Sequence, residues 1–476
     1  MLKNKPFIHQ FKTRDGCYIY DVNTNRILRV RRSVYYMLLE ENWSAESQEG
    51  EDAATILKMM EDGLLSSNRV QQVIHAESEL LPYILNSAVR SITLQVTRQC
   101  NLRCNYCVYS GSYLNRKHSN QNMSFDTAKK GIDFLISHSN DSRIINVGFY
   151  GGEPMLEFEL IKKCILYAEE KAEGKSLSFS ITSNGTLLDH ASIEFFEEHD
   201  VSLLISLDGP VGVHNRNRRF AADGGGTFNR IMEGLEKIKA EFPSYFKKIS
   251  FNAVLDPQND FSCTNEFFTS YETIKDSMIT SSEINGDYSK EKINISDDYV
   301  VKREYEIFKL FLSKVGRLDI KYVSKLVTPY YDQIWAIMHD NRVMTERLAD
   351  DFHHSGPCIP GAHKLFMDIN GKFYPCERVS EISEMMKIGD IENGFDMSKI
   401  SKLLNIGRLT EDKCKDCWAF RFCTLCASSA DDIKGLSAEN KLLHCPNVIK
   451  TSQESIKDYC TLMEFGCNFE DNMNNY

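Results

Sequence analysis

The sequence predicts an α/β protein: a parallel β/α barrel, preceded by a small α+β domain and followed by a cysteine-rich segment. Three observations carry this. From residue 91 onward, short alternating runs take turns with stretches of helical periodicity. The first 85 residues instead read as three strands followed by two helices. Of the fifteen cysteines, three sit at 100–107 and seven between Cys358 and Cys445.

In chain order, strands are expected at 7–12, 17–22 and 26–31, with turn chemistry at 23–25. Helices follow at 33–40 and 53–61, separated by an acidic, polar loop over 44–52. The barrel strands read at 91–97, 145–150, 177–182, 201–207 and 248–254. Helices read at 126–139, 157–173, 191–198 and 229–241, with Ser124 placed to cap the first. Residues 256–352 contain no motif. They contain helices at 297–314 and 329–347, and the Tyr330, Tyr331, Trp335, Met338 stripe on the second reads as core. An Asn370-Gly371 turn inside 366–376 predicts a hairpin.

Composition narrows the class. With 42% hydrophobic and 26% charged residues the chain reads as soluble and globular. At 476 residues it calls for two to four domains. A formal charge of −11 argues against general nucleic-acid binding. No apolar run is long enough for a membrane span, and the start lacks a signal peptide. Fifteen cysteines without an export signal point to the cytoplasm and to metal. Cys17, Cys164, Cys263, Cys460 and Cys467 read as buried hydrophobes or surface thiols.

The chemistry concentrates in loops that follow the strands, where β/α barrels place their sites. Cys100, Cys104 and Cys107 follow the first barrel strand in a single loop. Three such thiolates bind zinc or hold an iron–sulfur cluster, and a cubic cluster with three protein thiolates keeps one iron open. Gly151-Gly152-Glu153-Pro154 follows the second strand, Ser183-Asn184 ends the third and Ser206-Leu207-Asp208 the fourth. Each reads as a turn by itself. Four such loops at one barrel rim read as a site.

The Cys-x3-Cys-x2-Cys loop, with Tyr106 before its last cysteine, resembles that of radical S-adenosylmethionine (SAM) enzymes. The resemblance implies a partial (β/α)6, TIM-like barrel over 91–325 and a [4Fe–4S] cluster whose open iron binds SAM. It implies that Gly151, Gly152, Glu153 and Pro154 meet the SAM amino group, and that Ser183, Asn184 and Ser206 contact its methionine or ribose part. Asp208 and Tyr106 belong to the same cofactor set. Arg216 and Arg218 become candidates for the SAM carboxylate; a solvated basic loop is the alternative.

Cys358-x12-Gly371-x4-Cys376, then Cys414-x2-Cys417-x5-Cys423-x2-Cys426, then Cys445 resembles the SPASM extension of peptide-modifying members, over 350–450. One spacing departs, with two residues rather than three before Cys426. The resemblance implies two auxiliary clusters, hence three [4Fe–4S] clusters and SAM as cofactors. Cys414, Cys417, Cys423 and Cys445 would hold one, and Cys358, Cys376 and Cys426 the other. That second set is a ligand short, left open or filled by His353, His354 or water. A substrate cysteine on an open iron implies thioether formation, as in sactipeptide and ranthipeptide maturases. Glu377 matches an acidic catalytic base in a relative. Another crosslink (carbon–carbon or ether), formylglycine-type oxidation, and a multi-cluster electron carrier or zinc-bound scaffold are the alternatives. Residues 1–85 resemble a winged-helix-like leader-peptide recognition domain; a structural cap is the competing reading. Residues 451–476 form a tail. The implied partners are a ribosomal precursor peptide and a flavodoxin- or ferredoxin-type electron donor, with no nucleic acid and no membrane.

Overall fold

The computed structural model describes residues 5–40, 50–172, 174–284, 286 and 288–470. Positions 44–49 of the acidic loop, residue 173 of the second barrel helix and 471–476 of the tail lie outside these.

The N-terminal segment forms a three-stranded antiparallel sheet, β1 (Ile8–Lys12), β2 (Cys17–Asp21) and β3 (Arg26–Val30), with helices Arg32–Met37 and Glu51–Glu61. Ile19, Val34 and Ile56 close a small core between sheet and helices. Asp21 is buried at the end of β2. Its carboxylate accepts from the Thr24 backbone, making the turn, and from the Leu65 backbone at 2.7 Å.

Six parallel strands form the barrel sheet: β4 (Ser91–Thr97), β5 (Ile144–Gly151), β6 (Ser176–Ser183), β7 (Val201–Ser206), β8 (Ser250–Leu255) and β9 (Met278–Glu283). Their alternation buries Ile92, Leu94, Val147, Phe179, Ile181, Leu203 and Phe251 against helices such as Phe125–Ser137 and Phe158–Lys171. Ser124 caps the first of these, accepting from the Thr127 backbone at 3.0 Å. Five of the six strands fall where the alternation places them. The sixth, β9, is polar and exposed over much of its length, so periodicity carried no signal for it.

The sheet does not stop at β4. The hairpin β10 (Leu365–Met367) and β11 (Lys372–Tyr374) adds to its edge, with β10 running parallel to β4 and pairing Leu365 with Ile92. Two short strands, β12 (Gly389–Asp390) and β13 (Gly394–Phe395), complete ten. The cysteine-rich segment is thus joined to the barrel through backbone hydrogen bonds. Gly371, at φ +75°, supplies the left-handed turn residue.

Helix Asp297–Lys314 matches the expected 297–314. The next runs only Thr328–Trp335, with one wide turn to Asp340, and stops short of the expected 347. There the chain turns to the N-terminal sheet: the Thr345 backbone donates to Thr24 O and the Asn25 side chain to Val343 O. Tyr331 and Met338 are buried and Trp335 partly so, as core. Helix Cys445–Glu464 packs on this region through Asp458, which accepts from Tyr330 Oη at 2.7 Å. Among the described residues, no helix is long and apolar enough to cross a membrane.

Candidate active site

The rim loops are zipped to one another by backbone hydrogen bonds. Gly152 N donates to Thr97 O at 3.0 Å and Glu153 N to Gln99 O at 2.8 Å. These bonds hold the β5 loop against the start of the cysteine loop. A Cβ on Gly151 would stand 2.1 Å from Thr97 O, and one on Gly152 1.9 Å from Gln99 O. Both obstacles are backbone, so only glycine allows the approach.

Glu153 is the node of three loops. It is buried and accepts from Ser183 Oγ at 2.8 Å, Asn184 N at 2.7 Å and Met155 N at 3.1 Å. Burial pushes its carboxyl up, and these donors and the Arg218 charge draw it back. Asn184 extends the link, donating to Asn101 Oδ1 at 2.8 Å, with its amide 3.9 Å from Cys100 Sγ. Pro154 is buried behind the loop, and Ser206 is half-buried at the end of β7.

Asp208 anchors the opposite wall. It accepts from Arg218 Nε at 3.0 Å, Val254 N at 3.2 Å and Tyr106 Oη. Arg218 is buried, and its guanidinium lies over the Tyr106 ring. Arg216 turns the other way: it is exposed and donates to Asn259 Oδ1 at 2.8 Å. Of the two arginines, Arg218 alone faces the cysteine loop. Alternate backbone bonds between residues 101–105 and 217–221 lay the basic segment along that loop.

Burial lifts the Cys100 and Cys104 thiols to about 12, and neighbouring cysteines and Glu153 add to this. The Leu102 amide, 3.3 Å from Cys100 Sγ, and the Arg218 charge on Cys104 act in the opposite sense. Amide donors and a buried guanidinium suit thiolates better than thiols. The donor chemistry of Cys100, Cys104 and Cys107, three cysteines in one loop, suits an iron–sulfur cluster, although their sulfurs are not gathered on a single metal position.

The seven C-terminal cysteines fall into two neighbourhoods. After burial, Cys376 responds to Glu377, Cys426 and Cys358, while Cys417 responds to Cys423, Cys414 and Cys445. Among the described residues, no three His, Cys, Asp or Glu side chains are drawn tightly into a metal-holding arrangement. Neither ring nitrogen of His353 is free, since Nδ1 pairs with His354 O and Nε2 accepts from Gly407 N at 2.9 Å. His354 Nδ1 accepts from Gly356 N at 3.3 Å. Glu377 is partly buried, with Lys364 Nζ at 3.7 Å.

Sequence reading missed a buried polar network between the barrel and the hairpin segment. Glu381 pairs with Arg116 at 2.9 Å and Arg98 at 2.9 Å, and accepts from Gln95 Nε2 at 2.7 Å. Gln95 also donates to Tyr109 Oη at 2.8 Å. The one available signal was Gln95, a long polar side chain inside a β-branched strand. His214 was also missed: it is fully buried, accepts from Asp208 N and pairs with Thr227 Oγ1, pinning the β7 loop.

Residues 94–263 match the radical SAM superfamily. A protein of Methanocaldococcus jannaschii is 37% identical over 121 residues, 25% of this chain and 39% of that one. The match therefore spans well under half of that relative. The radical SAM cyclopropyl synthase TigE of Paramaledivibacter caminithermalis is 23% identical, over 72% of this chain and 69% of that one. A cysteine-type anaerobic sulfatase-maturating enzyme of Clostridium perfringens is 23% identical, over 68% and 84%. A solved anaerobic sulfatase-maturating enzyme with bound AdoMet superposes with a TM-score of 0.57 at 18% identity, covering 79% of this chain and 98% of that one. It shares the fold. Residues 94–263 are a radical SAM domain, which implies one [4Fe–4S] cluster and SAM.

Proposed function

From the premise that the chain is a radical SAM enzyme of the SPASM type, we propose that it installs thioether crosslinks in a ribosomally made peptide, using three [4Fe–4S] clusters. When bound, the first cluster and SAM supply a 5′-deoxyadenosyl radical by reductive cleavage. Cys100, Cys104 and Cys107 hold that cluster. Gly151 and Gly152 let the backbone approach SAM, and Glu153, Ser183, Asn184 and Ser206 line its amino, methionine and ribose side. Asp208 orients Arg218, and together with Tyr106 they close the cysteine loop. Arg216 forms the solvent-exposed edge. Cys414, Cys417, Cys423 and Cys445 hold the distal auxiliary cluster, and Cys358, Cys376 and Cys426 the proximal one.

One observation carries the thioether reading. The Cys358, Cys376, Cys426 neighbourhood has three thiols; His353 has no ring nitrogen to add, and His354 keeps only its buried Nε2 without a hydrogen-bond partner. A three-thiolate set leaves room for a substrate thiolate, with Glu377 beside Cys376 as proton acceptor. A peptide substrate is supported by solved relatives of the same fold with bound peptide. Residues 1–85 would capture its leader as an added strand. A cavity of about 680 Å³ lined by Ile8, Gln10, Leu65 and Arg347 flanks the β1 edge. A small flavodoxin- or ferredoxin-type protein would supply the electron.

Anaerobic reconstitution should load about twelve irons per chain, and about four would defeat the auxiliary clusters. Incubated with SAM, reductant and the precursor peptide, the enzyme should remove two hydrogens per crosslink and protect a peptide cysteine from alkylation. A product whose cysteines all remain alkylatable would favour the second reading, carbon–carbon bond formation. The likeness to TigE over 72% of this chain supports that alternative.

A further inference from the structure

Lys441 is a charged side chain that the proposed chemistry leaves unused. It lies on the helix Ala438–Leu443, four residues before Cys445, and is 1% exposed. Its ammonium donates to Thr410 Oγ1 at 2.8 Å and stands 4.0 Å from Cys414 Sγ. Thr410 Oγ1 is itself 3.3 Å from that sulfur. Neither partner is an anion. Cys445, one helical turn further on, places its sulfur 3.9 Å from the Lys441 carbonyl oxygen. The buried ammonium thus faces a hydroxyl and a cysteine sulfur.

An ammonium taken out of water costs several kcal/mol unless an opposite charge faces it. A cluster held by four thiolates carries net negative charge, which grows by one when it is reduced. We propose that Lys441 is the built-in countercharge of the Cys414, Cys417, Cys423, Cys445 site and raises the reduction potential of the iron–sulfur cluster held there. This rests on the reading of those four cysteines as cluster ligands. No bond forms or breaks. One electron from an external one-electron donor enters the cluster, and the nearby ammonium and its N–H···S contact stabilise the added charge. The cation beside the three-thiol set at Cys358 is Lys364, which is 57% exposed and already paired with Glu377 at 3.7 Å, so solvent screens it where Lys441 is buried. The two auxiliary sites would therefore differ in potential.

The test uses the full chain, reconstituted anaerobically and titrated with dithionite and mediators while reduced-cluster signals are followed by electron paramagnetic resonance. Lys441→Met should keep the parent's iron content and move one midpoint to more negative potential by a bias of at least tenfold, about 59 mV for one electron. Lys441→Arg should restore it. Unchanged midpoints at full iron would overturn the proposal and leave the cluster reading intact. If Lys441→Met and Lys441→Gln both lose iron, Lys441→Arg decides: loading with the parent's midpoint supports the countercharge, and failure to load makes the residue a packing element. Separately, a Cys414→Ala, Cys417→Ala, Cys423→Ala variant that loses no iron would defeat the four-cysteine site itself.

Discussion

At the scale of single residues, the site depends on side chains or hydrogens that cannot be exchanged without moving backbone. Gly152→Ala places a methyl against Gln99 O. Loss of the two inter-loop hydrogen bonds and backbone strain should cost about 1–3 kcal/mol. SAM binding, read by calorimetry, should fall more steeply than thermal stability, because the displaced atoms belong to the rim. Asp208→Asn leaves the buried Arg218 guanidinium without its anion. Breaking such a pair costs about 3–5 kcal/mol, measurable by urea denaturation. Arg216→Ala, exposed and bonded to polar side chains, should stay within about 0.5 kcal/mol of the parent. The two arginines are equivalent in sequence, two positions apart in one basic run. Only the path of residues 217–221 along the cysteine loop separates them.

At the scale of elements, period-2 alternation marked β4 to β8 because each buries one or both faces, and it missed β9, which does not. The hairpin at Asn370-Gly371 was legible from its turn, but its attachment to β4 was not. Edge pairing between residues 273 positions apart depends on where the barrel edge lies, and no local pattern encodes that. The helix Cys445–Glu464 offers a pH test. Burial, helped by Glu304 and Glu454, lifts the Asp458 carboxyl to about 6 against the Tyr330 hydrogen bond. The folded form therefore keeps a proton that the unfolded chain releases. That contribution is complete below about pH 4 and is lost as pH rises through about 6. Asp458→Asn should match the parent at pH 4 and exceed its stability at pH 8 by about 1–2 kcal/mol, allowing for partial solvent screening.

At the scale of the molecule, the N-terminal sheet sits directly on the cysteine-rich loop. The His9 ring stacks on Trp418 with centroids 3.6 Å apart, and Tyr20 packs on Phe422 at 4.9 Å. Arg421 donates to Val22 O at 2.8 Å and Asn23 O at 3.0 Å, and Arg69 pairs with Asp416 at 3.1 Å. These contacts clasp the segment between Cys414 and Cys423. Deleting residues 1–85 should therefore lower iron from about twelve to about eight per chain, with SAM cleavage retained. Full iron after deletion would make the segment an independent capture domain.

The sequence by itself determined the class. Cysteine spacings, a Gly-Gly-Glu-Pro loop and strand periodicity are local signals, and each survives any rearrangement of the rest of the chain. The tertiary structure decided which groups share a charge environment. It separated Arg218 from Arg216, turned His353 toward Gly407, and built the Glu381 and Lys441 environments from residues far apart in the chain. Burial and pairing depend on what packs from other elements, and spacing along the chain carries no record of that.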